Sequence, residues 1–169
     1  QDDDRAILLI FLDEAKEVLE VAQATLRSSD GRHDEPSQIV IVRRTFHTLK
    51  GGARMVGLDE FGEAAWSFEM LLTQWEDDNR KSIPQFWTLI SQALEAFADW
   101  TQCIALNRSP PWTTEIFQTR ASTMLSEQRF IPFDMVQWQS QVEREVAKVS
   151  ASAYDLSAMG FDSSQAADL

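Results

Sequence analysis

Apolar residues in this chain return every three to four positions through four long stretches, and that period commits most of it to amphipathic helices. The first stretch, from about Asp4 to Leu26, carries Ile7, Leu8, Phe11, Leu12, Ala15, Val18, Leu19, Ala22 and Leu26, with Asp13, Glu14, Glu17 and Glu20 largely between them. The second, from about Ser37 to Val56, carries Ile39, Val42, Phe46, Leu49, Ala53 and Val56, and Gly57 is placed to end it in a left-handed cap. A third helix is expected from Asp59, read as its N-cap, with Phe61, Ala65, Phe68, Leu72 and Trp75 on the buried side. Gly62 in its first turn points to close packing. After the polar turn Asp77-Asp78-Asn79-Arg80-Lys81, Ser82 and Gln85 read as a capping box for a fourth helix, about Ile83 to Asn107. Its buried side would hold Phe86, Leu89, Ile90, Ala93, Leu94, Phe97 and Trp100.

Breakers are scarce, with 6 Gly and 5 Pro, and where they occur they punctuate. Ser28-Ser29-Asp30-Gly31, running on to Pro36, reads as a loop. Pro110-Pro111 stops the fourth helix; Thr113 can cap a shorter fifth one to about Gln128, and Asp134 to about Ser150 can form a sixth. From Ala151 the chain is rich in Ser, Ala and Asp, lacks Lys and Arg, and is expected to be loosely ordered. Short connections between long helices predict antiparallel neighbours. The expected fold is therefore all-α: an up-and-down four-helix bundle over residues 1–108, an appended helical segment over 109–150, and a tail or linker over 151–169. Six Trp and ten Phe supply large side chains for the core. Trp112, Phe130, Phe133 and Trp138 lie beyond the bundle, where packing of the appended segment is favoured over a docking surface.

The formal net charge is −12, a surface that repels phosphate backbones and anionic lipid, so neither nucleic acid nor membrane is an expected partner. Cys103 stands alone and excludes an internal disulfide, as suits a cytoplasmic protein. No apolar run reaches the roughly 18 residues that span a bilayer. The start, Gln1-Asp2-Asp3-Asp4, is acidic, unlike a signal peptide, and lacks an initiator Met; an excised fragment is expected.

Against that background one stretch is anomalous: Arg43-Arg44-Thr45-Phe46-His47-Thr48-Leu49-Lys50-Gly51-Gly52-Ala53-Arg54. Four of the chain's 15 Lys and Arg fall here and none of its 27 Asp and Glu. With Val42, Phe46, Leu49 and Ala53 turned inward, His47 lies at or near the opposite face. There its neighbours at −4, +3, +4 and +7 are Arg43, Lys50, Gly51 and Arg54. A basic stripe on an acidic chain suits a specific anion, and a phosphoryl group carries roughly −1.5 to −2 charges. Lys50 could reach its oxygens. Gly51 and Gly52 should each cost about 1 kcal/mol relative to Ala in mid-helix, so each needs a reason. A bare Gly51 beside His47 would let another protein approach the imidazole, and Gly52 would serve helix packing.

The segment from Phe46 through Lys50-Gly51-Gly52-Ala53-Arg54-Met55-Val56-Gly57 to Leu58 resembles the phosphoacceptor motif of histidine-phosphotransfer (HPt) domains. It is most similar to those of chemotaxis-type hybrid histidine kinases of pilus-linked twitching-motility systems. The resemblance runs from about Ile7 through Ala105. It implies a four-helix bundle whose His47 is phosphorylated by a histidine kinase catalytic domain and passes the group to the aspartate of a response-regulator receiver domain. It also implies that Glu69, in Glu69-Met70-Leu71-Leu72, bonds the second ring nitrogen and orients the ring. An antiparallel pair joined at Gly57-Leu58 could bring the two together. Where some relatives carry a second histidine three residues before this Glu, the chain has Trp66. No P-loop and no GxGxxG are present, so the chain should carry phosphate without making phosphohistidine from ATP itself. His33 lies in a polar stretch and reads as solvated. No grouping has metal-ligand spacing, and no cofactor is expected. The alternative is a helical interaction module that docks a receiver or kinase without being phosphorylated.

Overall fold

The computed structural model describes residues 1–28, 36–134 and 146–152. Within them the chain is all-helical: α1 Asp2–Ser28, α2 Pro36–Met55, α3 Asp59–Asp77, α4 Pro84–Ala105 and α5 Thr114–Glu127, with 146–152 also helical. The expected loop after Ser28, with His33, and residues 135–145 of the expected sixth helix, with Trp138, lie outside the described residues. So do 153–169 of the expected tail.

The helix ends follow local chemistry, with two departures from expectation. Gly57 takes φ +77°. Around it Leu58 N–H donates to the Ala53 carbonyl at 2.9 Å and Gly57 N–H to Arg54 at 3.3 Å, which closes α2 as a Schellman turn. That turn runs straight into α3, so Leu58 occupies the N-cap and Asp59 is already helical. Asp59 therefore makes no cap bond; with Glu60 it contributes negative charge at the positive end of the helix. At α4 the expected capping box is absent. Pro84 takes the first helical position, where its fixed φ and missing N–H suit a helix start. Pro84 also holds Ile83 extended at the N-cap, so Ser82 falls one residue too early. Thr113 does cap α5, accepting from Ile116 N–H at 3.4 Å.

The expected stripes of α2, α3 and α4 meet in one interior. Val42, Phe46, Leu49, Ala53, Ala65, Phe68, Leu72, Phe86, Leu89, Ile90, Ala93, Leu94 and Phe97 have no measurable exposure. Ile7 departs from its stripe and is half exposed, lying a full turn ahead of Phe11, where burial on α1 begins. Helix α1 packs on α2 and α4, and α2 packs on α3. Pairs Phe61–Trp100 and Trp75–Phe86 show that α3 and α4 run antiparallel.

Residues 1–133 form one compact unit, with α5 packed along α3. The Thr114 hydroxyl donates to the Glu60 carbonyl at 2.7 Å near the start of α3, and Arg80 donates to the Leu125 carbonyl at 2.6 Å beyond its end, so α3 and α5 run parallel. Phe117 is wholly buried and reaches Phe68 on α3 and both Phe97 and Trp100 on α4. Phe133 closes over Phe117 and Trp112, and its N–H donates to Gln92 at 2.8 Å. Trp112 is fixed by an Nε1–H bond to Asp99 at 2.7 Å. Burial pushes the Asp99 carboxyl above its ordinary range, opposed by bonds from Trp112 and Cys103.

Candidate functional site

Three cross-links hold the solvent edge of the α2–α3 seam. Arg43 pairs with Glu76, His47 and Lys50 share Glu69, and Arg54 pairs with Glu63 at 3.1 Å. Numbers rise along α2 as they fall along α3, as antiparallel helices require. The backbones can approach because Gly62 faces α2. A Cβ there would stand 3.2 Å from the Arg54 side chain and 3.5 Å from the Lys50 carbonyl.

At the centre, His47 Nδ1 lies 2.7 Å from Glu69 Oε1, and Lys50 Nζ lies 2.6 Å from Glu69 Oε2. The His47 side chain is 66% exposed and that of Glu69 only 16%. Burial alone would push the Glu69 carboxyl up. The bonds and charge of Lys50, then of His47, outweigh it and hold Glu69 below the usual carboxylate range. Glu69 is therefore ionised near neutral pH, and an ionised carboxylate can only accept. The short contact requires the hydrogen to sit on Nδ1. In the neutral ring that leaves the lone pair on Nε2, on a side chain that is mostly in solvent. The arrangement is a nucleophile whose tautomer is set by a fixed acceptor, and the acceptor's own charge is set by Lys50.

Gly51 and Gly52 have different surroundings. A Cβ at Gly51 would meet nothing within 4 Å, so packing does not require glycine there. A Cβ at Gly52 would stand 2.7 Å from the buried ring of Phe11 on α1. Close packing thus accounts for Gly52, while Gly51 is a bare spot one turn beyond His47.

His47, Arg43, Lys50, Gly51 and Arg54 lie along one edge of the bundle, but Arg43, Lys50 and Arg54 all face carboxylates rather than open solvent. Sequence reasoning missed those partners at Glu63 and Glu76. A signal for them exists: Glu63, Glu69 and Glu76 recur about every two turns on the side of α3 that also carries Gly62. Trp66, in place of the second histidine of some relatives, shares that side and is 41% exposed; Met70 beside it is 42% exposed. Among the described residues no grouping of His, Cys, Asp and Glu could hold a metal ion, and no helix is long and apolar enough to cross a membrane.

Among known protein families, the model described as Hpt domain matches residues 6–100, more than half of the chain. No curated protein and no solved structure matches it.

Proposed function

Since the chain belongs to the Hpt domain family, whose members serve phosphorelays, we propose that His47 is its phosphoacceptor, loaded by a histidine kinase and unloaded by a receiver domain. The observation that carries this reading is the largely exposed imidazole of His47, whose Nδ1 lies 2.7 Å from ionised Glu69. In the kinase site the Nε2 lone pair attacks the γ-phosphorus of ATP. An N–P bond forms, the bond to the ADP oxygen breaks, and ADP leaves with its electron pair. The ring keeps its Nδ1–H, and Glu69 stabilises the positive charge that spreads over the ring. In the second step a receiver aspartate oxygen attacks phosphorus, an O–P bond forms, and the N–P electrons return to Nε2.

Lys50, one turn on, is positioned to exchange part of its contact with Glu69 for the phosphoryl oxygens. Arg43 and Arg54 add positive field, reduced by the carboxylates they already face. Gly51 clears the approach of a receiver, and the exposed Trp66, Met70 and Met55 offer apolar contact around it. The segment from Phe46 to Leu58 further supports a chemotaxis-type hybrid kinase of a pilus-linked system as the parent protein. Kinase and receiver then place the domain in the cytoplasm.

The test is incubation with a candidate kinase and ATP. Wild type should take up a label that is lost in acid and kept in alkali, as a phosphoramidate bond is, and His47→Gln should take up none. No label on wild type, or equal label on His47→Gln, overturns the reading. Receiver binding that persists without any label would point instead to a docking module. Gly51→Gln should keep the fold and slow transfer to the receiver; an unchanged transfer rate removes the docking role of Gly51.

A further inference from the structure

The outermost ridge of α2 is Arg44, His47, Gly51 and Met55, spaced by three, four and four residues, and all four are exposed. The three cations on the α3 side of that ridge are committed: Arg43 to Glu76, Lys50 to Glu69 and Arg54 to Glu63. Arg44 is different. It lies three residues before His47, on the side of the ridge away from α3, and no ion pair or hydrogen bond joins its side chain to another described residue. Nothing in the fold accounts for its charge.

We propose that Arg44 is a second cation, beside Lys50, that receives the phosphoryl group once it is on His47. The inference rests on the phosphoacceptor reading of His47 and adds to it a residue that the motif around Lys50 and Gly51 leaves out. Two physical arguments support it. Side chains on a helix lean toward its N-terminus, so the His47 ring overlies the turn that contains Arg44. A guanidinium also offers a planar fork of donors that matches two phosphoryl oxygens. For Arg43, Lys50 or Arg54 to do the same, each must first leave a carboxylate; Arg44 gives up only water. Around the site Glu63, Glu69 and Glu76 face α2 from α3, and Glu14 and Glu17 are exposed on α1. Each of these α3 carboxylates is already matched by one of the three committed cations, so Arg44 adds positive charge that none of them offsets.

The test is a ³¹P NMR titration of the protein phosphorylated chemically with phosphoramidate. A His33→Asn background leaves His47 as the chain's one histidine. A full charge about 6 Å away through water lowers the second ionisation of the phosphoryl group by about 0.5 pH unit. Arg44→Gln should raise that midpoint by this amount, Arg44→Lys should recover most of it, and Arg43→Gln should move it less. An unchanged midpoint in Arg44→Gln, or an equal or larger shift in Arg43→Gln, overturns the role of Arg44 and leaves the phosphoacceptor reading intact. No phosphohistidine signal from wild type overturns both.

Discussion

Helix α3 is held by different chemistry on its two sides. Toward α2 it presents Glu63, Glu69 and Glu76 to Arg54, to His47 and Lys50, and to Arg43. Toward α4 and α5 it presents Phe61, Phe68 and Trp75 to Phe97, Phe117 and Phe86, with ring centroids 5.0, 5.8 and 4.4 Å apart. The outer pairs, Arg43–Glu76 and Arg54–Glu63, are open to water, which competes for both partners, so they contribute little and can trade partners without unfolding the helix. Interlocked rings cannot trade, because each fills space that nothing else can. The chemistry therefore sits on the exchangeable seam, and the rigid seam behind it keeps α3, and Glu69 with it, in register.

The largest test of this contrast is Phe117→Ala. It removes a wholly buried ring shared by α3, α4 and α5 and should cost about 3–5 kcal/mol in urea denaturation. A loss below about 1 kcal/mol would mean that α5 merely rides on the bundle. Next come the two glycines. Gly52→Ala pushes a methyl into the Phe11 ring and should destabilise by about 1–3 kcal/mol. Gly51→Ala meets nothing and should stabilise by about 0.5–1 kcal/mol through helix propensity. The same sign for both would break the assignment of one to packing and the other to partner access.

Glu69 on the α2–α3 seam and Asp99 on α4 should also respond to acid with opposite signs. Glu69 ionises more readily in the folded chain than in the unfolded one. Its contribution is complete above the ordinary glutamate value and is lost as pH falls through the folded value. Asp99, buried beside Trp112, takes up its proton at higher pH when folded. Its contribution grows as pH falls through the folded value toward the ordinary aspartate one. Denaturation midpoints from neutral to acid pH should fall less steeply for Glu69→Gln than for wild type, and more steeply for Asp99→Asn. Changes of equal sign would refute the contrast. The smallest effect belongs to the outer cross-links: Arg43→Gln and Arg54→Gln should each cost less than about 1 kcal/mol by the same denaturation measurement.

Much of this was legible in the chain. The stripe of Val42, Phe46, Leu49 and Ala53 predicts which face of α2 is buried and so places His47 outside. Gly57 marks the end of α2, and Thr113 the start of α5. Two helix starts misread at Asp59 and Ser82 show the limit of motif reading. In each a stronger local constraint, the Schellman turn or Pro84, takes the N-cap for its neighbour. The partners of Arg43 and Arg54 were harder to read, because a basic stripe on one helix looks free until its opposing helix is in place.

What the sequence by itself determined is the five helices from α1 to α5, most of their buried faces and the solvent side of His47. All of these follow from a 3.6-residue period that needs only neighbours within two turns. Only the tertiary structure decided that Lys50 shares Glu69 with His47, that Arg43 and Arg54 are already paired, that Arg44 pairs with no described residue, and that α5 completes the aromatic interior. Those outcomes depend on the rotation and register of one helix against another. Register is set by contacts far apart in the chain, Gly62 on α2, Gly52 on Phe11 and Phe117 between α3 and α4, and no local period encodes it.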